Sequence, residues 1–399
     1  MKRDAWRLPE GIDEVLPPDA WALEGLRRRV LDLFDAWGYE FVMPPLVEYL
    51  DALLVGSGTD LELQTFRMVD QRSGRMLGIR ADMTSQAARI DAASLRVEGA
   101  QRLCYAGTVV HANPSGVLES RIPLIAGAEL FGARDVEADA EVVALMVAVL
   151  RCAGLAQPLV ELGHVGVFRS LAADGLLGGR EDELFDALQR KSEPDIEAIV
   201  DGARMAVPVK RFLRLLPGLV GGDEVLAAAK RAAKRLPAAT TAAIDELPTL
   251  AAAVRARSRE LNLRFDLCEL TGYGYHTGAV FTAYSPDIGK PIARGGRYDG
   301  VGACYGRARP ATGFDVDLMR LPRGAAPRRA IWAPGLSWTA PSRRTLLAAR
   351  IDALRAAGER VVGALSGDET PAGNCDRALV WRRNAWEIET IARGATRHG

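Results

Sequence analysis

The chain has 399 residues, of which 48% are hydrophobic and 26% are charged, a composition typical of globular proteins. Lysine plus arginine and aspartate plus glutamate both number 51, so no basic excess favours nucleic acid or an anionic membrane surface as a partner. The 5 cysteines form no C-x-x-C pair and no uncharged apolar run reaches about 18 residues, so we expect buried thiols, no metal site and no membrane span.

The first predicted element is an amphipathic helix close to the N-terminus. Two prolines and Asp19 precede it, and Gly38 ends it. The stretch before this helix has no apolar signal-peptide core, so we expect a cytoplasmic protein. After the helix, "GYEFVMPPLVEYL" is strand-like but is interrupted by Pro44 and Pro45, which favours an edge strand or a subunit contact. The apolar positions of the helix are Leu23, Leu26, Val30, Leu33 and Trp37.

A hairpin, a helix and a strand follow. Apolar runs at 103–110 and 122–131 flank a turn-rich stretch at 112–116, which predicts two antiparallel strands. Apolar residues then recur at helical spacing over 136–153, and "PLVELGHVGV" indicates the next strand.

Two domains are predicted from the remaining pattern. A charge-rich helical segment interrupts the strands and the strands then return, which indicates an insertion within one sheet domain. The tail reads as a small α/β domain with three strands around a helix. The predicted ranges are 1–322 for the first domain, 171–258 for its helical insertion, 263–267 and 273–284 for the returning strands, and 323–399 for the tail, with tail strands at 329–333, 360–365 and 377–382 and a tail helix at 343–357.

The stretch "ELTGYGYHTGAVF" (269–281) is the most unusual part of the returning strands. Read with a period of two, it places Tyr273 and Tyr275 on one face and His276 among glycines on the other. Glycines in a strand allow close approach to the backbone, and tyrosines combine an apolar ring with a polar tip, which suits a small polar ligand. The alternative is a bulged strand packed under a loop.

Several motifs occur in an order that resembles a known family. These are "PEGIDEVLP" (9–17), "GYEFVMPPLVE" (38–48), "GIRADMTSQAAR" (78–89), "GGRYDG" (295–300) and "GFDVDL" (313–318). Over about residues 8–320 the chain resembles the catalytic domain of histidyl-tRNA synthetase, a class II aminoacyl-tRNA synthetase. The resemblance implies an α+β fold with an antiparallel sheet flanked by helices.

The resemblance also implies that the ATP half of the synthetase site has been lost. At three positions where the synthetase carries arginines that act on phosphates, this chain has His111, Glu119 and Thr271. One unit charge at 4 Å contributes about 4 kcal/mol at an effective dielectric constant of about 20, and adenylation needs such charge. We therefore expect no adenylation.

In the histidine half of the site, most of the corresponding residues keep their chemical type. The resemblance implies that Asp82 and Thr84 receive the ligand's amino group and that Glu129 receives the imidazole N–H. Tyr275 and His276 correspond to the tyrosine pair that frames the ring, and Tyr273 belongs to the same stretch. Departures are His276, in place of a tyrosine, and Ile125, in place of a glutamine.

Structural roles remain open for these and other polar residues. Asp82 and Thr84 are also suited to capping the helix that follows, and Glu129 to a structural partnership inside the sheet. We interpret His111 and His164 as packing residues, and Cys104 and Cys268 as core thiols.

A histidine pocket without adenylation, together with "GHVGVFR" (163–169) and the short tail, is similar to the family of ATP phosphoribosyltransferase regulatory subunits. That resemblance implies a non-catalytic subunit without a cofactor. It also implies histidine binding, self-association, and a hetero-octamer with a short catalytic subunit in histidine biosynthesis.

Two other functions remain open. One is an enzyme that adenylates an amino acid with Arg80, Arg121 or Arg320 on the phosphates, although Asp317 replaces a glycine expected beside Arg320. The other is a nucleic-acid-associated mimic of a synthetase, which the net charge of +0 disfavours.

Overall fold

The computed structural model describes residues 6–55, 59–113, 120–285, 288–322, 324, 329–371 and 374–391. Within these residues the chain divides into two units. The first contains residues 6–15 and 23–322, and the second contains residues 16–22 and those from 324 onward. No described helix combines the length and the apolar character needed to cross a membrane.

The first unit contains a nine-stranded sheet in the order β1-β5-β6-β12-β11-β10-β7-β9-β8, beside a three-stranded sheet in the order β2-β4-β3. In the large sheet β1 pairs with β5 and β7 pairs with β9 in parallel, and the other pairs are antiparallel. The strands are β1 (Glu40–Phe41), β2 (Val47–Tyr49), β3 (Phe66–Val69), β4 (Met76–Ile79), β5 (Gln101–Thr108), β6 (Leu124–Phe131), β7 (Leu159–His164), β8 (Val220–Gly221), β9 (Asn262–Asp266), β10 (Ala279–Tyr284), β11 (Pro291–Arg297) and β12 (Ala311–Asp317).

The helices before residue 322 confirm the predicted amphipathic segments. The first helix ends just before Gly38, whose φ of 79° allows the chain to turn away. The α-helices are α1 (Asp19–Ala36), α2 (Leu50–Leu53), α3 (Thr59–Gln64), α4 (Thr84–Arg89), α5 (Val136–Cys152), α6 (Gly166–Ala173), α7 (Glu181–Gln189), α8 (Glu193–Gly202), α9 (Val207–Leu215), α10 (Asp223–Ala233) and α11 (Ala238–Arg257), and a π-helical turn covers Ile90–Leu95.

The two faces of the large sheet differ because side chains alternate along each strand. One face is apolar: Cys104, Ala128, Phe314 and Phe281 belong to the main hydrophobic core, and the Phe314 ring lies 6.1 Å from that of Phe34 on α1. The opposite face carries polar groups in one cross-strand row. That row runs through Tyr105, Gly127, Asp315, Arg294 and Thr282 on β5, β6, β12, β11 and β10. We call this polar side of the sheet the site face.

The predicted hairpin is confirmed, since β5 and β6 pair in antiparallel register. The predicted edge character of the stretch before Pro44 is also confirmed, because β1 is a two-residue strand at one end of the sheet order. The predicted helical segment begins earlier, at α6, and it is not purely helical, because β8 pairs with β9.

The predicted strand at 273–284 is wrong over its first six residues. Residues 271–275 form turns and β10 starts only at Ala279. Gly272 has a φ of 70°, and its carbonyl oxygen accepts hydrogen bonds from Tyr275 N at 2.9 Å and His276 N at 2.8 Å. These local bonds replace ladder pairing, so the alternation of faces assigned to Tyr273, Tyr275 and His276 does not occur.

The second unit contains a four-stranded sheet in the order β14-β13-β15-β16 and one longer helix. Its last strand was not predicted. Arg383 and Asn384 have φ values of 47° and 63°, as in a two-residue hairpin turn, and they connect β15 to β16. The elements are β13 (Ala330–Ala333), α12 (Pro341–Ala356), β14 (Val361–Gly363), β15 (Cys375–Arg382) and β16 (Ala385–Thr390).

The expectation of buried thiols is correct for Cys104, Cys268 and Cys375 and wrong for Cys304, which is exposed, while Cys152 is half-buried. Burial raises the pKa of Cys104 and of Cys268 to about 12, as expected for unreactive core thiols.

Candidate functional site

Glu129 lies at the centre of the site face. It is 1% exposed, and its Oε1 accepts a hydrogen bond from the Tyr105 hydroxyl at 2.8 Å while its Oε2 accepts one from the Tyr298 hydroxyl. The residue opposite on β12 is Gly313, and any side chain there would overlap the carboxylate. Burial outweighs the two phenol hydrogen bonds and raises the pKa of Glu129 to about 8.

Asp82 and Thr84 lie where the chain enters α4. Asp82 Oδ1 accepts hydrogen bonds from Met83 N at 2.6 Å and Thr84 N at 3.1 Å, so Asp82 fixes the start of α4 from the position before the N-cap residue Met83, while Thr84 is the first helical residue and does not cap the helix. The Thr84 hydroxyl also lies 3.3 Å from the Tyr105 hydroxyl. A continuous polar chain therefore connects Asp82 and Thr84 through Tyr105 to Glu129.

Asp315 adds a third carboxyl group that sequence reasoning missed. It lies on β12 opposite Gly127, and a side chain at Gly127 would meet the Tyr105 ring at 2.5 Å. Burial, and then the charge of Asp82, raise the pKa of Asp315 to about 7. The period-two alternation of "GFDVDL" was the available signal, because it places Asp315 and Gly313 on one face.

Tyr275 and His276 reach this region from the 271–276 turn. The two rings lie 4.3 Å apart. Tyr275 is 42% exposed, and desolvation together with the charges of Asp82 and Asp315 raises the pKa of its phenol. His276 is 4% exposed, and its Nδ1 lies 3.0 Å from the Thr271 carbonyl oxygen. Burial lowers the pKa of His276 to about 4, so the ring is neutral near pH 7 and Nδ1 donates to that carbonyl.

Tyr273 lies on the other side of the same turn. Its ring centroid is 5.5 Å from that of Phe168 on α6 and 5.3 Å from that of Phe185 on α7. Asp82, Thr84, Glu129 and Tyr275 are thus brought together, with Tyr105, Tyr298 and Asp315 as additional members.

The positions that correspond to the synthetase's phosphate-binding arginines carry other interactions. His111 Nε2 lies 3.0 Å from the Ala81 carbonyl oxygen, and the Thr271 carbonyl holds His276. Glu119 lies outside the described residues. The packing interpretation of His164 also agrees with its burial and with the hydrogen bond from Gly166 N to its Nδ1 at 3.0 Å.

Two arginines near this region, Arg80 and Arg121, are directed to backbone carbonyl groups. Arg80 donates to the Thr108 oxygen at 3.0 Å and to the Pro44 oxygen at 2.6 Å. Arg121 donates to the His111 oxygen at 3.1 Å and to the Glu10 oxygen at 3.2 Å.

Arg320 differs because an acid lies beside it. Its Nε is 3.4 Å from Asp317 Oδ2, which reduces the positive charge that it offers to a phosphate. Arg294 on β11 is the one cation of the polar cross-strand row, opposite Asp315, and the other charged groups of the site are carboxyl groups that accept hydrogen bonds. The site suits a ligand with ammonium and N–H groups, and no group of three His, Cys, Asp or Glu suited to a metal ion occurs in the described parts of the chain.

Known proteins match this chain over almost its whole length. A family profile described as histidyl-tRNA synthetase matches residues 11–321, and one described as the C-terminal domain of the ATP phosphoribosyltransferase subunit HisZ matches residues 328–389. The ATP phosphoribosyltransferase regulatory subunit of Alkalilimnicola ehrlichii is 50% identical over 95% of this chain and 95% of its own length. The regulatory subunit of Pseudomonas fluorescens is 47% identical over 98% of this chain and 99% of its own length.

Solved structures show the same architecture. A Bacillus halodurans protein named as an ATP phosphoribosyltransferase regulatory subunit/histidyl-tRNA synthetase superposes with a TM-score of 0.83 at 27% identity, over 95% of this chain and 98% of that chain. Histidyl-tRNA synthetase from Nostoc gives a TM-score of 0.74 at 15% identity, over 94% of this chain and 91% of its own, a likeness of fold alone. The predicted class II synthetase-like α+β fold is confirmed.

Proposed function

This chain belongs to the family of ATP phosphoribosyltransferase regulatory subunits, and from that premise we propose that it binds free histidine and transmits this binding to a short catalytic subunit. It is a non-catalytic subunit of an enzyme complex. The proposed consequence is feedback control of the first step of histidine biosynthesis.

The observation that carries the proposal is the buried carboxyl of Glu129, held between two phenols and facing a site with two further acids. Free histidine has one ammonium group and an imidazole N–H, which need separate acceptors. Glu129 is the proposed acceptor of the imidazole N–H, and Asp82 with Thr84 the proposed acceptors of the ammonium group. Tyr275 is the proposed ring contact, while Tyr273 and His276 support it from within the turn.

The adenylating alternative has less support. Arg80 and Arg121 each donate two hydrogen bonds to backbone carbonyl groups, and reorienting either side chain would leave those acceptors unpaired. Asp317 opposes any phosphate near Arg320. Phosphoryl transfer requires fixed positive charge, and the only arginine in the polar cross-strand row, Arg294, lies opposite the acid Asp315.

The proposed assembly is a hetero-octamer with the short catalytic subunit, in the cytoplasm. Self-association has support at β1, where Phe41 is 45% exposed and the neighbouring Met43 is 81% exposed. Exposed apolar residues grouped at the edge of a sheet are typical of protein contacts.

Calorimetric titration with histidine tests the proposed ligand. We expect Glu129→Ala to weaken binding by about 2–4 kcal/mol, roughly 30- to 1000-fold, because it leaves the ligand's buried N–H unpaired. Glu161→Ala is the matched control, since Glu161 lies on the site face of β7, four strands away from β6 in the sheet order, and should bind as the wild type does. Equal binding by Glu129→Ala and the wild type would place the histidine site elsewhere.

A further inference from the structure

The turn of residues 271–276 has two sides, and its two tyrosines face different parts of the first unit. Tyr275 lies toward the acids of the site face, whose charges act on its phenol. Tyr273 packs edge-on against Phe168 and at a tilt against Phe185. The turn therefore contacts both the proposed histidine site and helices α6 and α7.

Arg169, the fourth residue of α6, holds this turn from the helical side. Its Nη2 donates to the carbonyl oxygen of Tyr273 and, at 2.7 Å, to that of His276. Its Cζ also lies 4.7 Å from the centroid of the Tyr273 ring, a cation–π distance. One guanidinium group thus ties together the two ends of the short stretch that carries Tyr275.

Bonds within the turn, such as those from Tyr275 N and His276 N to the Gly272 carbonyl oxygen, shape it locally, whereas Arg169 attaches it to α6 by hydrogen bonds. Gly272 has a left-handed backbone, and a side chain there would meet Tyr275 Cζ at 2.8 Å. The internal bond from His276 to Thr271 closes the turn but does not attach it to α6. A planar guanidinium can stack on a ring and donate to carbonyls together, which a lysine ammonium does less well.

We propose that Arg169 is a positioning residue of the ligand site, which holds Tyr275 where it can frame the ring of a bound amino acid. This inference rests on the proposed histidine site. In this proposal Arg169 acts through its bonds to the turn and not as a group that contacts the ligand. In the sequence, Arg169 is the last residue of the "GHVGVFR" motif, and the resemblance implies no role for it.

The first test compares Arg169→Met, Arg169→Lys and the wild type in calorimetric titrations with histidine, together with melting temperatures. We expect Arg169→Met to lose roughly tenfold in affinity, as for a charged hydrogen bond, and Arg169→Lys to restore part of the loss. Arg190→Met is the control, because Arg190 is an exposed arginine of the same helical segment that donates to Asp186 O at 3.2 Å. It should bind as the wild type does.

A double-mutant cycle separates positioning from a general structural role. If Arg169 acts through Tyr275, the loss caused by Arg169→Met should largely disappear in a Tyr275→Ala background. Two losses that simply add, or unchanged affinity in Arg169→Met, would overturn the inference. If Arg169→Met does not fold, Arg169→Lys goes through the same cycle.

Amide hydrogen exchange in the free protein tests the inference without a ligand. The amides of Tyr275 and His276 both donate to Gly272, so loosening of the turn exposes them directly. We expect Arg169→Met to accelerate their exchange roughly tenfold relative to the amides of β10. Unchanged exchange would contradict the inference. A wild-type protein that fails to bind histidine would instead contradict the proposed function.

Discussion

Glu129 and Asp139 are both buried acids, and they are stabilised in opposite ways. Asp139 pairs with Arg297 at 2.6 Å, so its charge is compensated inside the protein. Glu129 has phenols as partners, and no lysine or arginine lies within ion-pair distance of it in the described residues. A buried carboxyl without a cation is poorly stabilised when it is ionised, which is expected where a cationic ligand completes the site.

The first prediction is that the contribution of Glu129 to the stability of the ligand-free protein falls as the pH rises from about 4.5 to about 8, while His276, whose folded-state pKa of about 4 lies below its usual 6.5, contributes in the opposite direction between about pH 4 and 6.5. The folded-state pKa of Glu129, about 8, lies above its usual 4.5, so the folded state binds more protons in this range. The stabilisation is complete below about 4.5 and decreases by up to about 1.4 kcal/mol per pH unit until the pH reaches the folded-state pKa.

Melting temperatures measured across this range check the prediction. Glu129→Gln keeps the size of the side chain but cannot ionise, so its curve should be flatter than that of the wild type. Asp315 contributes with the same sign, because burial raises its pKa to about 7, and adding Asp315→Asn should make stability decrease still less as the pH rises. Parallel curves for Glu129→Gln and the wild type would contradict the pKa shift.

At the residue level, sequence reasoning found part of the candidate site. Asp82, Thr84, Glu129 and Tyr275 were predicted as a group, and the structure brings them together. Tyr105 was missed because it sits in an apolar strand, and only the register with Gly127 shows that its hydroxyl reaches Glu129. Cross-strand register is not encoded in local sequence spacing.

The hairpin β5–β6 and the 271–276 turn show which elements a sequence can predict. The hairpin has two eight-residue strands with strong apolar patterns, and it was predicted correctly. The turn has glycines and tyrosines in alternation, and this period of two is the pattern expected of a strand. Local bonds to the carbonyl of Gly272 and the bonds from Arg169 decide its structure, and the latter come from more than 100 residues away. Local patterns cannot anticipate such distant partners.

The second prediction is that the hairpin and the turn support no adenylation. The isolated protein should give no histidine-dependent ATP–pyrophosphate exchange above a blank without protein. The positions that need arginines carry His111 and Thr271 here, together with Glu119, and Arg320 faces Asp317. Losing about 4 kcal/mol of transition-state stabilisation at even one of them lowers the rate roughly a thousandfold.

The control for this assay is the variant in which His111, Glu119 and Thr271 are all changed to arginine. We expect it to bind ATP more tightly than the wild type but not to catalyse exchange, because Asp315 and Asp317 still place acids in the site. Clear exchange by the wild-type protein would favour the adenylating alternative.

At the scale of the whole molecule, a protein that binds histidine without changing it chemically can act only by favouring one state of a complex that it forms with another molecule. Histidine can shift the equilibrium between two states of a complex only by the difference between its binding free energies for those two states. The net charge of +0 gives no general attraction to nucleic acid, so a protein partner is the simpler proposal. For a regulatory subunit of ATP phosphoribosyltransferase, that partner is the catalytic subunit.

The last prediction follows from the reciprocity of coupling. If histidine stabilises an inactive complex, then ATP and phosphoribosyl pyrophosphate bound to the catalytic subunit must weaken histidine binding by the same factor. A coupling of about 1–3 kcal/mol corresponds to a shift of roughly 5- to 150-fold in the dissociation constant. Histidine titrations of the reconstituted complex, with and without these substrates, measure the shift directly. Glu129→Ala should weaken histidine binding to the complex roughly 30- to 1000-fold and shift inhibition to correspondingly higher histidine concentrations. A wild-type complex that histidine does not inhibit would make this subunit an activator or a scaffold, since a ligand with equal affinity for both states cannot change their balance.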